Sequence, residues 1–132
     1  MGCGSIVLAD RHPSMLVGIR SLLADEAEAV LMAVDEVSLL EAVRKVVPAL
    51  VIADLSFPVS GGIDVVKLIK QCNPAIKIII LSTYDDPPAV DEIMKHGADG
   101  FVLRQRAVLD LIPAVREVCQ GARYMSVSSI ER

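Results

Sequence analysis

The sequence predicts an α/β fold in which a parallel sheet carries helices on both faces. The 132-residue chain is 53% hydrophobic but only 3% aromatic, so aliphatic residues must build the core. Such a core is typical of strands that are buried on both sides. Short apolar runs also alternate five times with stretches of helical periodicity, over short connections. The common solution for five such units is the flavodoxin-like (βα)5 three-layer sandwich, a five-stranded parallel sheet of order 2-1-3-4-5.

Each element follows from a local pattern. The apolar runs predict five strands, at Ile6–Ala9, Val30–Val34, Leu50–Ala53, Ile76–Leu81 and Phe101–Leu103. Apolar residues at helical spacing predict five helices, which cover Met15–Leu23, Leu39–Val47, Val65–Cys72, Val90–Met94 and Leu111–Cys119. Ser38 followed by Glu41 indicates a capping box at the start of the second helix. Pro87 or Pro88 is expected to start the fourth helix.

Charge and composition exclude several classes of protein. The chain has 13 basic and 17 acidic residues, a net charge of −4, so we expect no direct contact of this domain with nucleic acid. Its longest stretches without a charge are nine residues, whereas a membrane-spanning helix needs roughly 20. We therefore expect a cytoplasmic protein with no membrane contact. The three cysteines, Cys3, Cys72 and Cys119, are far apart in the sequence and are expected to be reduced thiols.

Polar residues follow four of the predicted strands. They are Asp10 and Arg11, Asp54 and Ser56, Ser82, and Arg104. The carboxyl ends of parallel strands meet at one edge of the sheet, so these groups are expected to converge. A carboxylate can attack phosphorus, a second can help to hold a hard cation, and a hydroxyl and a guanidinium can bind phosphoryl oxygens. The pattern predicts a site that handles phosphate, although either Asp alone could simply cap a helix.

Five motifs in order resemble the receiver domain of two-component response regulators, in the subtype that carries a LuxR/NarL-type DNA-binding domain. Residues 8–13, Leu-Ala-Asp-Arg-His-Pro, are similar to the family's opening motif. Residues 54–62 resemble its phosphoacceptor strand and loop, and residues 81–86 its hydroxyl residue and the turn after it. Residues 97–104, Gly-Ala-Asp-Gly-Phe-Val-Leu-Arg, resemble the signature around its fifth strand. Residues 121–126 resemble the approach to the interdomain linker.

The resemblance implies a role for each site residue. Asp54 would accept a phosphoryl group from a histidine kinase or another phosphodonor. Asp10, Asp54 and the backbone carbonyl of Ser56 would bind Mg²⁺. Ser82 would be the switch hydroxyl, and Phe101 the switch aromatic that turns inward when Ser82 moves. Such a domain is not an enzyme beyond its own phosphorylation and dephosphorylation.

The resemblance also implies an organisation. Residues 1–121 would form the receiver domain, and residues 122–132 would begin a linker to a C-terminal helix-turn-helix domain outside this sequence. The whole protein would then be a transcription regulator, and its receiver domains are expected to form a homodimer.

Two residues depart from the family pattern. Arg11 replaces the second acidic residue of the opening motif, and Arg104 replaces the lysine after the fifth strand. The pocket therefore holds two carboxylates and two guanidiniums, and we predict that Mg²⁺ binds weakly or not at all. Three interpretations remain open for Arg11: it forks onto Asp54 in the place of the metal, it turns to solvent while Arg104 clamps the phosphoryl group, or it has no role. The first makes the domain a phosphorylation-independent pseudo-receiver, a dimerisation or interaction module.

Overall fold

A computed structural model describes residues 3–83 and 86–126. The strands are β1 (Cys3–Ala9), β2 (Ala27–Ala33), β3 (Leu50–Asp54), β4 (Lys77–Ser82), β5 (Gly100–Leu103) and β6 (Tyr124–Met125). The helices are α1 (Pro13–Leu23), α2 (Glu36–Val46), α3 (Val65–Cys72), α4 (Pro87–Lys95) and α5 (Ala107–Cys119). A single 3₁₀ turn, Arg104–Arg106, joins β5 to α5.

The strands form one parallel sheet of order β2-β1-β3-β4-β5-β6. This confirms the predicted flavodoxin-like arrangement and adds a sixth strand beside β5. The sequence did not predict β6 because two residues give no measurable alternation. β6 lies beyond the predicted domain boundary at residue 121, which stays a prediction, and residues 127–132 of the predicted linker lie outside the described residues.

Two apolar layers cover the sheet, one on each face. Side chains from alternate positions of the strands, such as Val7 and Val51, pack with α2, α3 and α4. The intervening positions, such as Ile6 and Ile52, pack with α1 and α5. The central strands are therefore buried on both sides, as their uninterrupted aliphatic sequences predict.

Two helices begin earlier than the sequence predicts. The N-cap of α2 is Asp35, whose side chain accepts a hydrogen bond from the backbone N–H of Ser38 at 2.8 Å. The Ser38 hydroxyl in turn accepts from the Asp35 backbone N–H, so Ser38 closes the capping box and does not open it. Helix α5 begins at Ala107, four residues before the predicted start, since the 3₁₀ turn leads directly into it.

The prediction of three reduced thiols was wrong for two of them. Cys3 at the start of β1 and Cys119 at the end of α5 form a disulfide across 116 residues of sequence. Spacing along the chain does not reveal this pair, because only the packing of α5 on the sheet brings the two ends together. Cys72 is an exposed free thiol at the end of α3. In the described ranges, no helix combines the length and the apolar character that crossing a membrane requires.

Candidate acidic site at the carboxyl edge of the sheet

The carboxyl ends of β1, β3 and β5 bring together two carboxylates and a guanidinium. Asp10 follows β1, Asp54 ends β3, and Arg104 follows β5. β1 and β3 are neighbours, with Ala9 paired to Ala53, so the two aspartates extend side by side. The convergence that the sequence predicts at this edge is therefore present for these three residues.

One nitrogen of Arg104 bridges both carboxylates. Its Nη2 donates a hydrogen bond to Asp10 Oδ2 at 2.9 Å and a second one to Asp54 Oδ1. The Arg104 side chain is 17% exposed, and those of Asp54 and Asp10 are 14% and 3% exposed. At this degree of burial, screening by solvent is weak, so the guanidinium neutralises much of the acidic charge.

Asp54 is also bound by its own loop. The Ser56 backbone N–H donates to Asp54 Oδ2 at 3.0 Å, and the Ser56 hydroxyl donates to the same oxygen. Burial alone would raise the pKa of Asp54, but the hydrogen bonds from Ser56 and Arg104 outweigh it and hold this pKa below its ordinary value. For Arg104, burial opposes the charged form, but the bonds to Asp54 and Asp10 raise its pKa.

Asp10 is held at the start of α1. Its Oδ1 accepts a hydrogen bond from the His12 backbone N–H at 2.9 Å, and the His12 ring nitrogen Nδ1 lies 3.1 Å from the same oxygen. His12 is the N-cap of α1, immediately before Pro13. Asp10 thus orients the helix entry while its second oxygen faces Arg104.

Arg11 does not occupy the pocket. Its side chain is exposed, and it forms no hydrogen bond or ion pair with any other residue in the ranges 3–83 and 86–126. The interpretation in which Arg11 forks onto Asp54 was therefore wrong, because Arg104 occupies that position. The reason is the position of each residue. Arg104 follows β5, and its guanidinium reaches both carboxylates, whereas Arg11 lies in the bend after β1 and its side chain is exposed.

Of the two predicted switch residues, Ser82 lies at this edge and Phe101 lies further back along β5. Ser82 is the last residue of β4 and is buried. Phe101 in β5 is 1% exposed and belongs to the apolar layer shared with α2, α3 and α4. Phe101 is thus buried in this structure, and the switching roles of both residues stay predictions.

In this structure, both carboxylate oxygens of Asp10 and both of Asp54 already have hydrogen-bond partners. Mg²⁺ needs carboxylate oxygens that are available to it. Here Arg104 bonds one oxygen of Asp10 and one of Asp54, and Arg11 stands at the position of the family's other acid. Within the described part of the chain, no three or more His, Cys, Asp or Glu side chains are grouped so that they could hold a metal ion.

Sequence reasoning missed a second buried carboxylate near this edge. Asp110 in α5 is 7% exposed and accepts bonds from Arg106 Nε at 2.9 Å and from the Ser126 hydroxyl at 2.6 Å. Burial would raise the pKa of Asp110, but Arg106, Ser126 and Tyr124 hold it below its ordinary value. The spacing of Arg106 and Asp110, four residues apart on a helix, was the available signal. This network fastens β6 to α5.

The fold and the site define a class: a doubly wound parallel domain with an aspartate at the end of its third strand, beside a second aspartate and an arginine. The family model for the response regulator receiver domain matches residues 6–116, so the chain belongs to that family. This confirms the resemblance on which the site residues were assigned.

Proteins similar to this chain include regulators of transcription. The chain is 32% identical over 122 residues to the transcriptional regulatory protein DegU of Brevibacillus brevis. The aligned region covers 91% of this chain and 52% of DegU. The isolated receiver domain of RcsB from Salmonella enterica serovar Typhimurium, solved with the phosphomimetic BeF3−, superposes with a TM-score of 0.86 at 27% identity, over 99% of this chain and 98% of that one. A two-component response regulator of the LuxR family from Aurantimonas sp. SI85-9A1 gives a TM-score of 0.85 at 27% identity, over 96% and 91%.

The chain spans only about half the length of DegU. RcsB has also been solved in complex with DNA, and there this chain covers 67% of the RcsB chain. The similarity to DegU and to full-length RcsB therefore concerns only the receiver part of those longer proteins.

Proposed function

We propose that this receiver domain accepts a phosphoryl group on Asp54 and thereby regulates an attached DNA-binding domain. The observation that carries the proposal is the position of Asp54, at the carboxyl end of the central strand β3 beside Asp10 and Arg104. RcsB, which shares the fold, has been solved in complex with DNA and, as the isolated receiver domain, in the presence of a phosphomimetic.

The protonation state of Asp54 suits a nucleophile. Because its pKa lies below the ordinary range, the carboxylate is ionised at neutral pH. One of its oxygens attacks phosphorus, the bond from phosphorus to the donor's leaving group breaks, and the leaving group departs with its electron pair. The attacking oxygen must first leave one of its present partners, Arg104 or Ser56.

Arg104 supplies the positive charge for this step. It already bonds Asp54, so a phosphoryl group on that oxygen would lie within reach of the guanidinium. A guanidinium offers several donors in one plane, which suits binding to phosphoryl oxygens. Ser82, at the end of the neighbouring strand β4, is the proposed hydroxyl partner of the modified Asp54.

We further propose that Mg²⁺ binds this site weakly or not at all, because Arg104 opposes a divalent cation beside Asp10 and Asp54. The substitution Arg11→Asp should restore Mg²⁺ affinity by supplying the missing acid. Calorimetric titration of both proteins with MgCl₂ tests this, and equal affinity would contradict the charge argument.

The partners follow from the same proposal. In the cytoplasm, a histidine kinase or another phosphodonor supplies the phosphoryl group to this protein, and a C-terminal helix-turn-helix domain contacts DNA. Two receiver domains pair in the active state, as expected for a protein that reads two half-sites.

Mass spectrometry of the intact chain after incubation with acetyl phosphate tests the proposal. The unmodified sequence should gain one phosphoryl group, and Asp54→Asn should gain none. Asp91→Asn, which changes an exposed carboxylate on α4, is the matched control and should behave like the parent. A parent chain that gains nothing would overturn phosphoryl acceptance and favour the interaction module. Equal labelling of Asp54→Asn would place the acceptor elsewhere.

A further inference from the structure

The amino edge of the sheet, opposite the acidic site, holds a pair of cysteines. Cys3 is the first residue of β1, whose far end leads to Asp10, and Cys119 is the last residue of α5. Their Cα atoms lie 5.8 Å apart, within the range that a disulfide spans. The acidic chemistry proposed above does not use either sulfur.

Packing other than the sulfur bond also holds these two ends together. Val115 and Val118 of α5 are buried in the layer that includes Ile6 of β1. Arg116 of α5 donates two hydrogen bonds to Glu26, from Nε at 3.0 Å and from Nη2 at 3.1 Å. The Cys3 backbone N–H donates to the Glu26 carbonyl at 2.9 Å. Glu26 therefore connects the strand start to the helix end, and the sulfurs stay neighbours whether or not they are bonded.

The cysteine pair is open to small molecules. A surface depression of about 340 Å³ is lined by Cys3, Gly4, Ala49, Ala75, Lys77 and Cys119. Cys3 is 8% exposed, whereas Cys119 is more accessible. Lys77 brings a positive charge to the lining; its Nζ lies 4.0 Å from Asp99 Oδ1, and its side chain is 41% exposed, so it can also face an anionic reagent.

We propose that Cys3 and Cys119 form a reversible redox site that exchanges with small anionic disulfides of the glutathione class. The thiolate of Cys119 attacks one sulfur of the reagent, forms a mixed disulfide and releases one reagent thiolate. The thiolate of Cys3 then attacks the Cys119 sulfur, closes the protein disulfide and releases the second reagent thiolate. The two cysteines are oxidised, the reagent disulfide is reduced to two thiols, and the two protein protons end on those thiols.

Cys72 provides an internal contrast. It is exposed at the end of α3, on the other face of the sheet from α5, and forms no disulfide. With the same reagent it can form a mixed disulfide but cannot resolve it within the chain. The substitution Cys72→Ser therefore removes the only other thiol and leaves the proposed site intact.

Counting thiols with a maleimide reagent tests the proposal directly. The Cys72→Ser chain is equilibrated with oxidised and reduced glutathione at several ratios, quenched in acid and labelled after denaturation. It should carry two labels in the reducing buffer and none in the oxidising one, with no glutathione on the protein. Retained glutathione, or labels that persist in the oxidising buffer, would overturn the proposal.

Thermal unfolding provides a second readout. The bond joins residues 116 positions apart, so closing it should raise the melting temperature of the Cys72→Ser chain by roughly 10 °C. The double variant Cys72→Ser with Cys119→Ser is the matched control and should show the same melting temperature in both buffers. Equal melting temperatures of the Cys72→Ser chain in the two buffers would contradict the proposed site.

Discussion

The two edges of the sheet are held in different ways. At the carboxyl edge, Arg104 bridges Asp10 and Asp54 by charge and hydrogen bonds. At the amino edge, a covalent bond joins Cys3 to Cys119, beside the Arg116–Glu26 ion pair. A salt bridge opens when a phosphoryl group or a proton competes for it, whereas a disulfide opens only when it is reduced. The carboxyl edge, where we propose that Asp54 is phosphorylated, is thus the one whose contacts can rearrange without redox chemistry.

Two arginines near the carboxyl edge have the same charge but differ in burial. Arg104 is largely buried between carboxylates, whereas Arg11 is exposed one residue after Asp10. Charge counting treats them alike, but only a charge shielded from water perturbs its neighbours strongly. The predictions below test how far the carboxyl edge depends on such buried contacts and how little the amino edge depends on its ion pair.

The largest effect is expected from the packing below the carboxyl edge. Phe101→Ala removes a ring that is 1% exposed and should lower the free energy of unfolding by about 3–5 kcal/mol, because it leaves a cavity beneath β5. Urea denaturation measures this. Val108→Ala on α5, at a position that is 80% exposed, is the control and should change the value by less than about 0.5 kcal/mol. Similar losses for both would show that Phe101 does not belong to the core.

The next effect is expected at the bridge itself. Arg104→Ala leaves two carboxylates facing each other and should lower the free energy of unfolding by roughly 2 kcal/mol at neutral pH. The exposed counterpart Arg11→Ala should be nearly neutral, and urea denaturation of both variants makes the comparison.

The bridge also predicts a pH dependence. Arg104 helps to hold the folded-state pKa of Asp54 below its unfolded value. The stabilisation from the ionised Asp54 is therefore complete above about pH 4, and it is lost as the pH falls through the folded-state pKa of Asp54. The gap between the parent and Arg104→Ala should close in acid, and a gap that widens there would contradict the assignment.

A smaller effect is expected where β6 joins α5. Ser126→Ala removes the 2.6 Å hydrogen bond to the buried carboxylate of Asp110 and should lower the free energy of unfolding by about 1.5 kcal/mol. NMR titration should also show the pKa of Asp110 rising toward its ordinary value, since one of its donors is lost. An unchanged Asp110 titration would mean that the hydroxyl does not bind the carboxylate in solution.

The smallest effect is expected from the ion pair at the amino edge. Arg116→Gln removes the partner of Glu26 but leaves the disulfide, and Arg116 is 64% exposed. The melting temperature should fall only slightly, and the difference should vanish at about 1 M NaCl, where the Debye length is about 3 Å. A loss as large as that of Arg104→Ala would reverse the proposed contrast between the edges.

Much of the carboxyl edge is predictable from the sequence because topology places strand ends together. Asp10, Asp54 and Arg104 were identified as the residues that follow apolar runs, and the parallel sheet brings them into contact. The sequence does not predict which arginine enters the pocket, because that depends on the direction in which each side chain leaves its strand. Arg104 is the one of the two that engages both carboxylates.

The amino edge was much less predictable. Nothing in the spacing of Cys3 and Cys119 relates them, since their contact arises from the docking of α5 along β1. Strand β6 escaped prediction for a similar reason, because two residues gain their strand conformation from pairing with β5 and not from their own pattern. The interior strands could be predicted from the sequence because their aliphatic runs are long enough to indicate a buried strand.

The central claim is that Arg104, at the position of the family's lysine, is the cation that neutralises Asp10 and Asp54 in the acidic pocket. Calorimetric titration of the parent chain and of Arg104→Ala with MgCl₂ tests it most directly. We predict no saturable binding to the parent at millimolar Mg²⁺, and affinity at least about tenfold higher once the guanidinium is removed. Equal Mg²⁺ affinity of the two chains would contradict the claim.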